Sequence, residues 1–151
     1  MEARVPPGRP NSGRIVSEAR LLARRLARGL VLVDAAAGTG CQVVASVTGA
    51  RLAVLVVEDS VAGASDALRV YRLLRHFRIP FLVVYNKYRG GVGAERFSRL
   101  VGGGVRVAAR IPYSECIVEA YREGGNPVEE CAELREALGA VAEAVLGELG
   151  V

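Results

Sequence analysis

The stretch Val31-Leu-Val-Asp34-Ala-Ala-Ala-Gly38-Thr-Gly40 carries the strongest structural signal in this chain. An apolar run from Leu30 to Val33 ends in a carboxylate, and small, flexible residues follow it. This pattern predicts a buried parallel strand over residues 30–34 that delivers Asp34 to the carboxyl edge of a sheet. Ligands of α/β folds bind at that edge, so Asp34 becomes the first candidate for a binding site.

Strand and helix patterns alternate along the rest of the chain. After residue 34 the sequence predicts strands over residues 52–58, 81–85 and 105–110, and helices over about 14–28, 41–48, 62–77, 94–101, 114–122 and 128–149. This alternation predicts an α/β fold of three layers, with a mostly parallel sheet and helices on both of its faces. Residues 1–13, rich in Pro and Gly, are predicted to form an arm, and residues 14–151 a single domain.

Three predicted strands end in polar residues. Asp34 ends the first, Glu58-Asp59-Ser60 ends the second, and Asn86-Lys87 ends the third. Because the carboxyl ends of parallel strands share one edge of a sheet, we expect a binding crevice there. Taken singly, each of these groups is also compatible with ordinary turn chemistry.

Composition narrows the class of protein. No apolar run reaches the roughly 18 residues that a membrane helix needs, and the first residues lack the apolar block of a signal peptide, so a cytoplasmic protein without a membrane span is predicted. Cys41, Cys116 and Cys131 form no C-x-x-C pair, which favours reduced thiols over a disulfide, a zinc site or an iron–sulfur site. Arginine supplies every basic residue except Lys87, as in GC-rich or thermophilic organisms.

Charge is unevenly distributed. Residues 1–28 hold seven Arg and two Glu, whereas residues 114–151 hold nine Glu and two Arg. This asymmetry is compatible with an acidic partner at one end or with solvated helix faces. Nucleic-acid binding is disfavoured, because the arginines are not interleaved with aromatic residues and no reader motif is present.

A phosphate-binding loop is not evident in these 151 residues. The segment from Gly8 to Gly13 has the spacing G-x-x-x-x-G, but Arg14 and Ile15 follow where such a loop carries lysine and a hydroxyl residue. We interpret the segment as a turn that leads into a helix. An acid such as Asp34 is nevertheless typical of the magnesium-associated strand of P-loop nucleotidases. The sequence therefore indicates half of a nucleotide site.

An ordered series of motifs resembles the carboxyl-terminal half of MinD/ParA-type ATPases, most closely the branch with an inserted ferredoxin domain. The motifs are Val31-Leu-Val-Asp34-Ala-Ala-Ala-Gly38, Val44-Ala-Ser-Val-Thr-Gly49-Ala50, Val57-Glu58, Asp66-Ala-Leu-Arg69-Val70, His76-Phe-Arg-Ile-Pro80, Tyr85-Asn86-Lys87-Tyr88, Ile111-Pro112-Tyr113 and Glu119-Ala-Tyr-Arg-Glu-Gly124. Together they cover nearly the whole chain.

The resemblance implies ATP or ADP with Mg²⁺ as ligands and suggests a role for several residues. Asp34 resembles the acid that holds magnesium through water, and Gly38 the residue whose amide contacts the terminal phosphate. Asn86 resembles a contact to adenine, with the main chain near Ile111 and Pro112 closing over the base. No iron–sulfur cluster is expected, because the ferredoxin cysteines of the family are missing from this sequence.

The departures from the family pattern are large. The half that carries the phosphate loop has no counterpart here, Ala35 and Ala36 replace two prolines, and Ser114 replaces an acid. The resemblance also implies that the family's first strand belongs inside the sheet, beside residues 30–34. Without that strand, two apolar strand edges would be left open to pairing with another chain.

Three functional hypotheses are compatible with these residues. The leading one is an ATP/ADP-binding half-module that needs a protein partner, either a further copy of this chain or a separately encoded phosphate-loop half. The alternative is a degenerate, non-catalytic interaction or scaffold protein derived from the same family, and a gene fragment is the third. Without a Walker A motif, we do not expect the chain to hydrolyse ATP alone.

Overall fold

The computed structural model describes residues 12–151, so residues 1–11 of the predicted arm, and with them most of the near-miss phosphate loop, lie outside the described residues. The helices are α1 (Ser12–Leu26), α2 (Cys41–Val47), α3 (Val61–His76), α4 (Val92–Leu100), α5 (Glu115–Glu123), α6 (Pro127–Glu130) and α7 (Ala132–Leu149), and the strands are β1 (Ala53–Glu58), β2 (Phe81–Tyr88) and β3 (Val107–Pro112). None of the helices in residues 12–151 combines the length and the apolar character needed to cross a membrane.

The three strands form one parallel sheet in the order β1-β2-β3. The central strand is buried on both faces from Leu82 to Tyr85, which explains its continuous apolar sequence. One face packs against α2, α3 and α4, and its core includes Val57, Leu74 and Phe97. Helix α7 packs against β3 and β2. The predicted α/β fold with helices on both faces of a parallel sheet is confirmed.

The strand predicted over residues 30–34 is wrong. Residues 27–40 belong to no helix or strand, and the side chain of Leu32 is 85% exposed. A strand persists only through hydrogen bonds to a neighbouring strand, and β1 pairs with β2 alone among the described residues. The apolar run therefore consists of residues that favour a strand, but it forms none because no neighbouring strand in the described residues pairs with it.

The outer edge of β1 is unpaired in the described part of the chain. The N–H groups of Ala53 and Asp59 donate to the carbonyl groups of Pro80, which immediately precedes β2, and of Asn86 in β2. Because alternate residues of a parallel strand bond to the same side, the N–H and C=O groups of Val54 and Val56 point away from β2. Their side chains are also exposed, at 40% and 57%. This edge thus presents both backbone hydrogen-bonding groups and apolar surface.

The prediction of reduced thiols is wrong for two of the three cysteines. Cys116 and Cys131 form a disulfide with a Cα–Cα distance of 6.0 Å, whereas Cys41 is an exposed free thiol. The single helix predicted over residues 128–149 is broken at Cys131, between α6 and α7. The break turns the chain back so that Cys131 packs beside Ala120 of α5. A sequence separation of 15 residues carries no signal of that reversal.

Candidate functional site

The carboxyl ends of β1 and β2 meet at one edge, as the sequence predicts. Glu58 is the register partner of Asn86, and Lys87 Nζ lies 2.9 Å from Glu58 Oε2. The hydrogen bond and the charge of Lys87 lower the pKa of the Glu58 carboxyl below its ordinary value. Lys87 itself adopts a φ of 52°, a left-handed conformation that is uncommon for a residue other than glycine. The single lysine of the chain is therefore paired with a carboxylate at the strand ends.

Asp59 anchors the loop that follows β2. Its carboxylate accepts the backbone N–H groups of Arg89, Gly91, Gly93 and Ala94 at 2.7–3.1 Å. Burial would raise the pKa of Asp59, but these hydrogen bonds outweigh it, so the pKa lies below its ordinary value. The sequence marked Asp59 only as one polar residue at a strand end. In the structure it caps the start of α4, since all of its bonds go to that loop and helix.

Gly93 allows this close approach. A Cβ at Gly93 would lie 2.4 Å from the backbone nitrogen of Ser60, closer than any side chain tolerates. The start of α4 therefore rests directly on the backbone that follows β1. This contact fixes the position of the loop between β2 and α4 relative to the sheet.

The residues expected on the adenine side are gathered at the same edge. Asn86 ends the paired register of β1 with β2, and Pro112 pairs with Tyr88 across β2 and β3. Ile111 precedes Pro112 at the end of β3. The Asn86 Oδ1 accepts the N–H of Lys87 at 2.9 Å, which leaves the NH₂ group of the side chain as a hydrogen-bond donor.

A stacked pair beside these residues was not anticipated from the sequence. The Arg89 guanidinium carbon lies 3.4 Å from the centroid of the Tyr113 ring. The N–H of Tyr113 in turn donates to the carbonyl of Tyr88 at 3.2 Å, which ties the end of β3 to the end of β2. A cation–π contact of this kind positions two flexible side chains at the edge of the sheet. The only signal in the sequence was an arginine and a tyrosine that each follow a strand.

Asp34 and Gly38 are not part of the sheet edge. Both residues lie in the exposed segment over residues 27–40, and Gly38 has a φ of 97°. Among residues 12–151, no three His, Cys, Asp or Glu side chains form a group that could hold a metal ion. The structure thus assembles the residues expected near the base and leaves those expected near the metal and the phosphate outside the sheet.

Two proteins of the archaeon Methanocaldococcus jannaschii are similar in sequence to this chain. No family model matches it. The chain is 30% identical over 117 residues to uncharacterized protein MJ0579 of Methanocaldococcus jannaschii, a match that covers 78% of this chain and 40% of that protein. It is also 30% identical over 80 residues to uncharacterized protein MJ0578 of the same organism, covering 53% of this chain and 29% of that protein. The chain thus spans less than half the length of either relative.

Solved structures give the fold. The septum site-determining protein MinD of Pyrococcus horikoshii, complexed with Mg-ADP, matches with a TM-score of 0.67 and 21% identity over 88% of this chain and 56% of that one. The MinD cell division protein of Aquifex aeolicus matches with a TM-score of 0.70 and 20% identity over 89% of this chain and 61% of that one. A chain of the MinC:MinD cell division protein complex of A. aeolicus matches with the same TM-score of 0.70 and 20% identity. The chain therefore has the α/β fold of the MinD ATPases and spans part of their length.

Proposed function

We propose that this chain is an ATP/ADP-binding half-module of a MinD/ParA-like ATPase and that a second polypeptide supplies the phosphate loop. The observation that carries the proposal is the outer edge of β1, to which no strand within residues 12–151 pairs, together with the apolar run over residues 30–34, which is exposed except at Val31. Both segments consist of residues that favour strands, and in both the backbone hydrogen-bonding groups face no neighbouring strand among the described residues. A partner strand would give each of them the hydrogen bonds that it lacks.

The direction of the sheet restricts the partner. All three strands are parallel and end at the edge that carries Asn86. A partner strand that pairs with β1 in parallel would deliver the loop after it to that same edge. A glycine-rich loop in that position offers backbone N–H groups to a phosphate chain. We therefore propose a parallel strand followed by a phosphate loop as the contribution of the partner.

This chain would supply the base side of the shared pocket. The NH₂ group of Asn86 can donate to a ring nitrogen of adenine, because its Oδ1 is already engaged with Lys87. The backbone of Ile111 and Pro112 lies at the end of the neighbouring strand and would cover one side of the ring. The Mg-ADP in the P. horikoshii protein supports the choice of ligand, since that protein shares the fold.

Asp34 and Gly38 would supply the metal and phosphate contacts on this chain. A carboxylate suits a hard divalent cation, and a glycine amide can approach a phosphate closely. Because both residues are exposed and outside the sheet, we propose that they reach the pocket only when the partner strand orders residues 30–34. Bound Mg²⁺ would neutralise charge on the phosphates. We place this assembly in the cytoplasm.

Titration calorimetry with Mg-ADP tests the proposal. The chain is titrated alone and with the product of a neighbouring reading frame that carries a G-x-x-x-x-G-K-[ST] loop. We expect binding to the mixture and a loss of about tenfold in affinity for Asn86→Ala, the effect of one lost hydrogen bond to a ligand. Gln42→Ala, an exposed amide on α2, is the matched control and should bind normally. Absence of Mg-ADP binding to both the chain and the mixture would exclude the half-module.

One contact favours the alternative of a non-catalytic scaffold. The hydroxyl of Ser114, which stands where the family has an acid, donates to the Glu133 carboxylate and lowers the pKa of that carboxyl. Ser114 therefore joins the start of α5 to α7 instead of carrying charge at the edge. The scaffold hypothesis predicts that Asp34→Ala leaves partner binding unchanged with and without Mg-ADP. A loss of nucleotide-dependent assembly in that variant would exclude it.

A further inference from the structure

A concave site lies on the sheet face that α4 covers. A cleft of about 630 Å³ opens between α4 and β3, and residues 104–105 also line it. Tyr85, Tyr88, Ser98, Arg99, Val107 and Arg110 contribute to its lining. None of the five residues expected to contact the nucleotide lines this cleft. The cleft therefore uses a different set of residues, next to the strand ends that carry Asn86 and Pro112, and a ligand bound there would not occupy the proposed nucleotide contacts.

A register irregularity in β3 turns Arg110 into the cleft. Val83 pairs with Val107, but the next residue, Val84, pairs with Ala109, so β3 contains one extra residue. Side chains alternate between the faces of a sheet, and one inserted residue reverses the order beyond it. Arg110 consequently becomes the partner of Tyr85 and shares its face. Without the bulge, Ala109 would occupy that position.

A second register irregularity, in β2, turns Tyr88 into the same cleft. Between the pairs Tyr85–Arg110 and Tyr88–Pro112, β2 advances one residue more than β3, and Lys87 takes its left-handed conformation there. Tyr88 therefore lines the same cleft as Tyr85. Bulges are concentrated next to functional sites, where they redirect side chains. Two of them, one in each strand, each place one polar side chain in this cleft.

The loop wall of the cleft is held in place. Gly91 lies on this wall, and its N–H is bound by the Asp59 carboxylate at 2.9 Å. Gly91 has a φ of 91°, and a Cβ there would lie 2.9 Å from the Tyr88 hydroxyl, so glycine is favoured beside that ring. The Asp59 carboxylate, with its four hydrogen bonds to backbone N–H groups, thus acts as a clamp on this loop. The clamp fixes the wall against which Tyr88 rests. A wall that is ordered before a ligand arrives lowers the entropic cost of binding.

The lining has a defined chemical character. Arg99 and Arg110 provide two positive charges against one negative charge at Glu95. Val105 and Val107 provide apolar surface, and the Arg110 guanidinium lies 5.7 Å from the centroid of the Tyr88 ring. Among the described residues, the buried hydroxyl of Tyr85 makes only a long bond of 3.4 Å to the Ala94 carbonyl, and burial raises the pKa of this phenol, which is a donor at neutral pH even at its ordinary pKa.

We propose that this cleft binds a small organic anion with a planar apolar body, such as an aromatic carboxylate. Arg110 and Arg99 pair with the anionic group, since guanidinium groups recognise carboxylates through two parallel hydrogen bonds. The tyrosine rings and the valines contact the planar body. An inorganic anion would leave the apolar part of the cleft exposed to water, so we expect it to bind more weakly than an anion with a planar apolar body.

The test uses 2-naphthoate as the probe and 2-naphthamide as a neutral analogue of the same shape. Both are titrated into the ¹⁵N-labelled chain and followed by amide chemical shifts. We expect 2-naphthoate to shift the amides that line the cleft and to bind about tenfold more tightly than 2-naphthamide, as one charge-assisted hydrogen bond predicts. Equal affinities, shifts confined to other residues, or no saturable binding of 2-naphthoate at millimolar concentration would overturn the proposal.

Variants identify the charge that binds. Arg110→Gln should weaken 2-naphthoate binding about tenfold and leave the affinity for 2-naphthamide unchanged. Arg99→Gln is the second variant and should also weaken the binding of 2-naphthoate. Arg96→Gln, an exposed arginine of α4 that does not line the cleft, is the matched control and should bind normally. An equal loss in Arg96→Gln would indicate nonspecific attraction to the basic surface and would refute the site.

Discussion

The carboxylate Oδ1 of Asp59 accepts the backbone N–H of Gly93 at 2.7 Å, while a Cβ on Gly93 would lie 2.7 Å from the carbonyl carbon of Asp59. Each residue thus requires the other: the carboxylate needs a backbone within reach, and that backbone comes within reach only because residue 93 lacks a side chain. The pair joins the end of β1 to the start of α4. It therefore fixes a loop that borders both the sheet edge and the cleft.

Replacement of Asp59 by Asn should destabilise the fold. The amide cannot supply two negatively charged oxygens to the four N–H groups that the carboxylate accepts. We expect the free energy of unfolding to fall by about 1–3 kcal/mol, measured by chemical denaturation at pH 7. Asp66→Asn, on the exposed face of α3, is the control and should change stability by less than about 0.5 kcal/mol. Equal effects in the two variants would refute the clamp.

Stability should depend on pH through the same carboxylate. The hydrogen bonds lower the pKa of Asp59 in the folded chain below its ordinary value of 3.8. A group with a depressed pKa stabilises the fold fully above its unfolded value, and that contribution is lost as the pH falls through the folded value. The stability difference between the native chain and Asp59→Asn should therefore be constant from about pH 6 to 7 and shrink below about pH 4. A difference that does not change in acid would contradict this assignment.

The disulfide should contribute measurably to stability. Cys116→Ser removes the bond while Cys131, which is 1% exposed, keeps its packing beside Ala120 and Leu134. A loop of 15 residues predicts a loss of about 3 kcal/mol in the free energy of unfolding. Reduction of the native chain should produce a similar loss. Cys41→Ser is the control and should show neither the loss nor a changed response to reductant.

The unpaired edge of β1 can be tested through its backbone. The N–H of Val56 points away from β2, so Val56→Pro removes an outward donor and leaves the β1–β2 hydrogen bonds intact. We expect about tenfold weaker binding to a phosphate-loop partner in titration calorimetry. Val56→Thr retains the N–H and should bind as the native chain does. Unchanged binding of Val56→Pro would show that the partner does not pair with this edge.

Local patterns were sufficient for some elements and not for others. The strand β2 was predictable because Leu82–Tyr85 is buried on both faces, which requires a continuous apolar run. The same pattern over residues 30–34 failed, because pairing depends on a neighbour that no local pattern specifies. Glu58 and Asn86 were correctly expected at one edge, since parallel strands end together.

Other features of the sites depend on shifts of a single residue. The bulges that bring Tyr88 and Arg110 to one face leave hydrophobicity almost unchanged, so the sequence does not reveal them. The disulfide likewise depends on a chain reversal at Cys131. Asp59 was visible as a polar residue, but its role required knowledge of where the glycines of the next loop lie.

Hydrogen exchange can determine whether residues 30–34 join the sheet. In the isolated chain these residues lie outside any helix or strand, and all but Val31 are exposed, so their amides should exchange within the shortest labelling time. If a partner strand lies between this segment and β1, addition of the partner with Mg-ADP should protect the amides of residues 30–34 and those of Val54 and Val56 together. Protection is expected on both sides because an inserted strand bonds to both of its neighbours.

The internal reference for that experiment is β2. Amides of Leu82–Tyr85 should remain protected with and without the partner, because both neighbouring strands are already present. Protection of β1 without residues 30–34 would mean that the partner only extends the existing sheet by one strand. In that case Asp34 would stay outside the pocket, and the magnesium ligand would have to come from the partner.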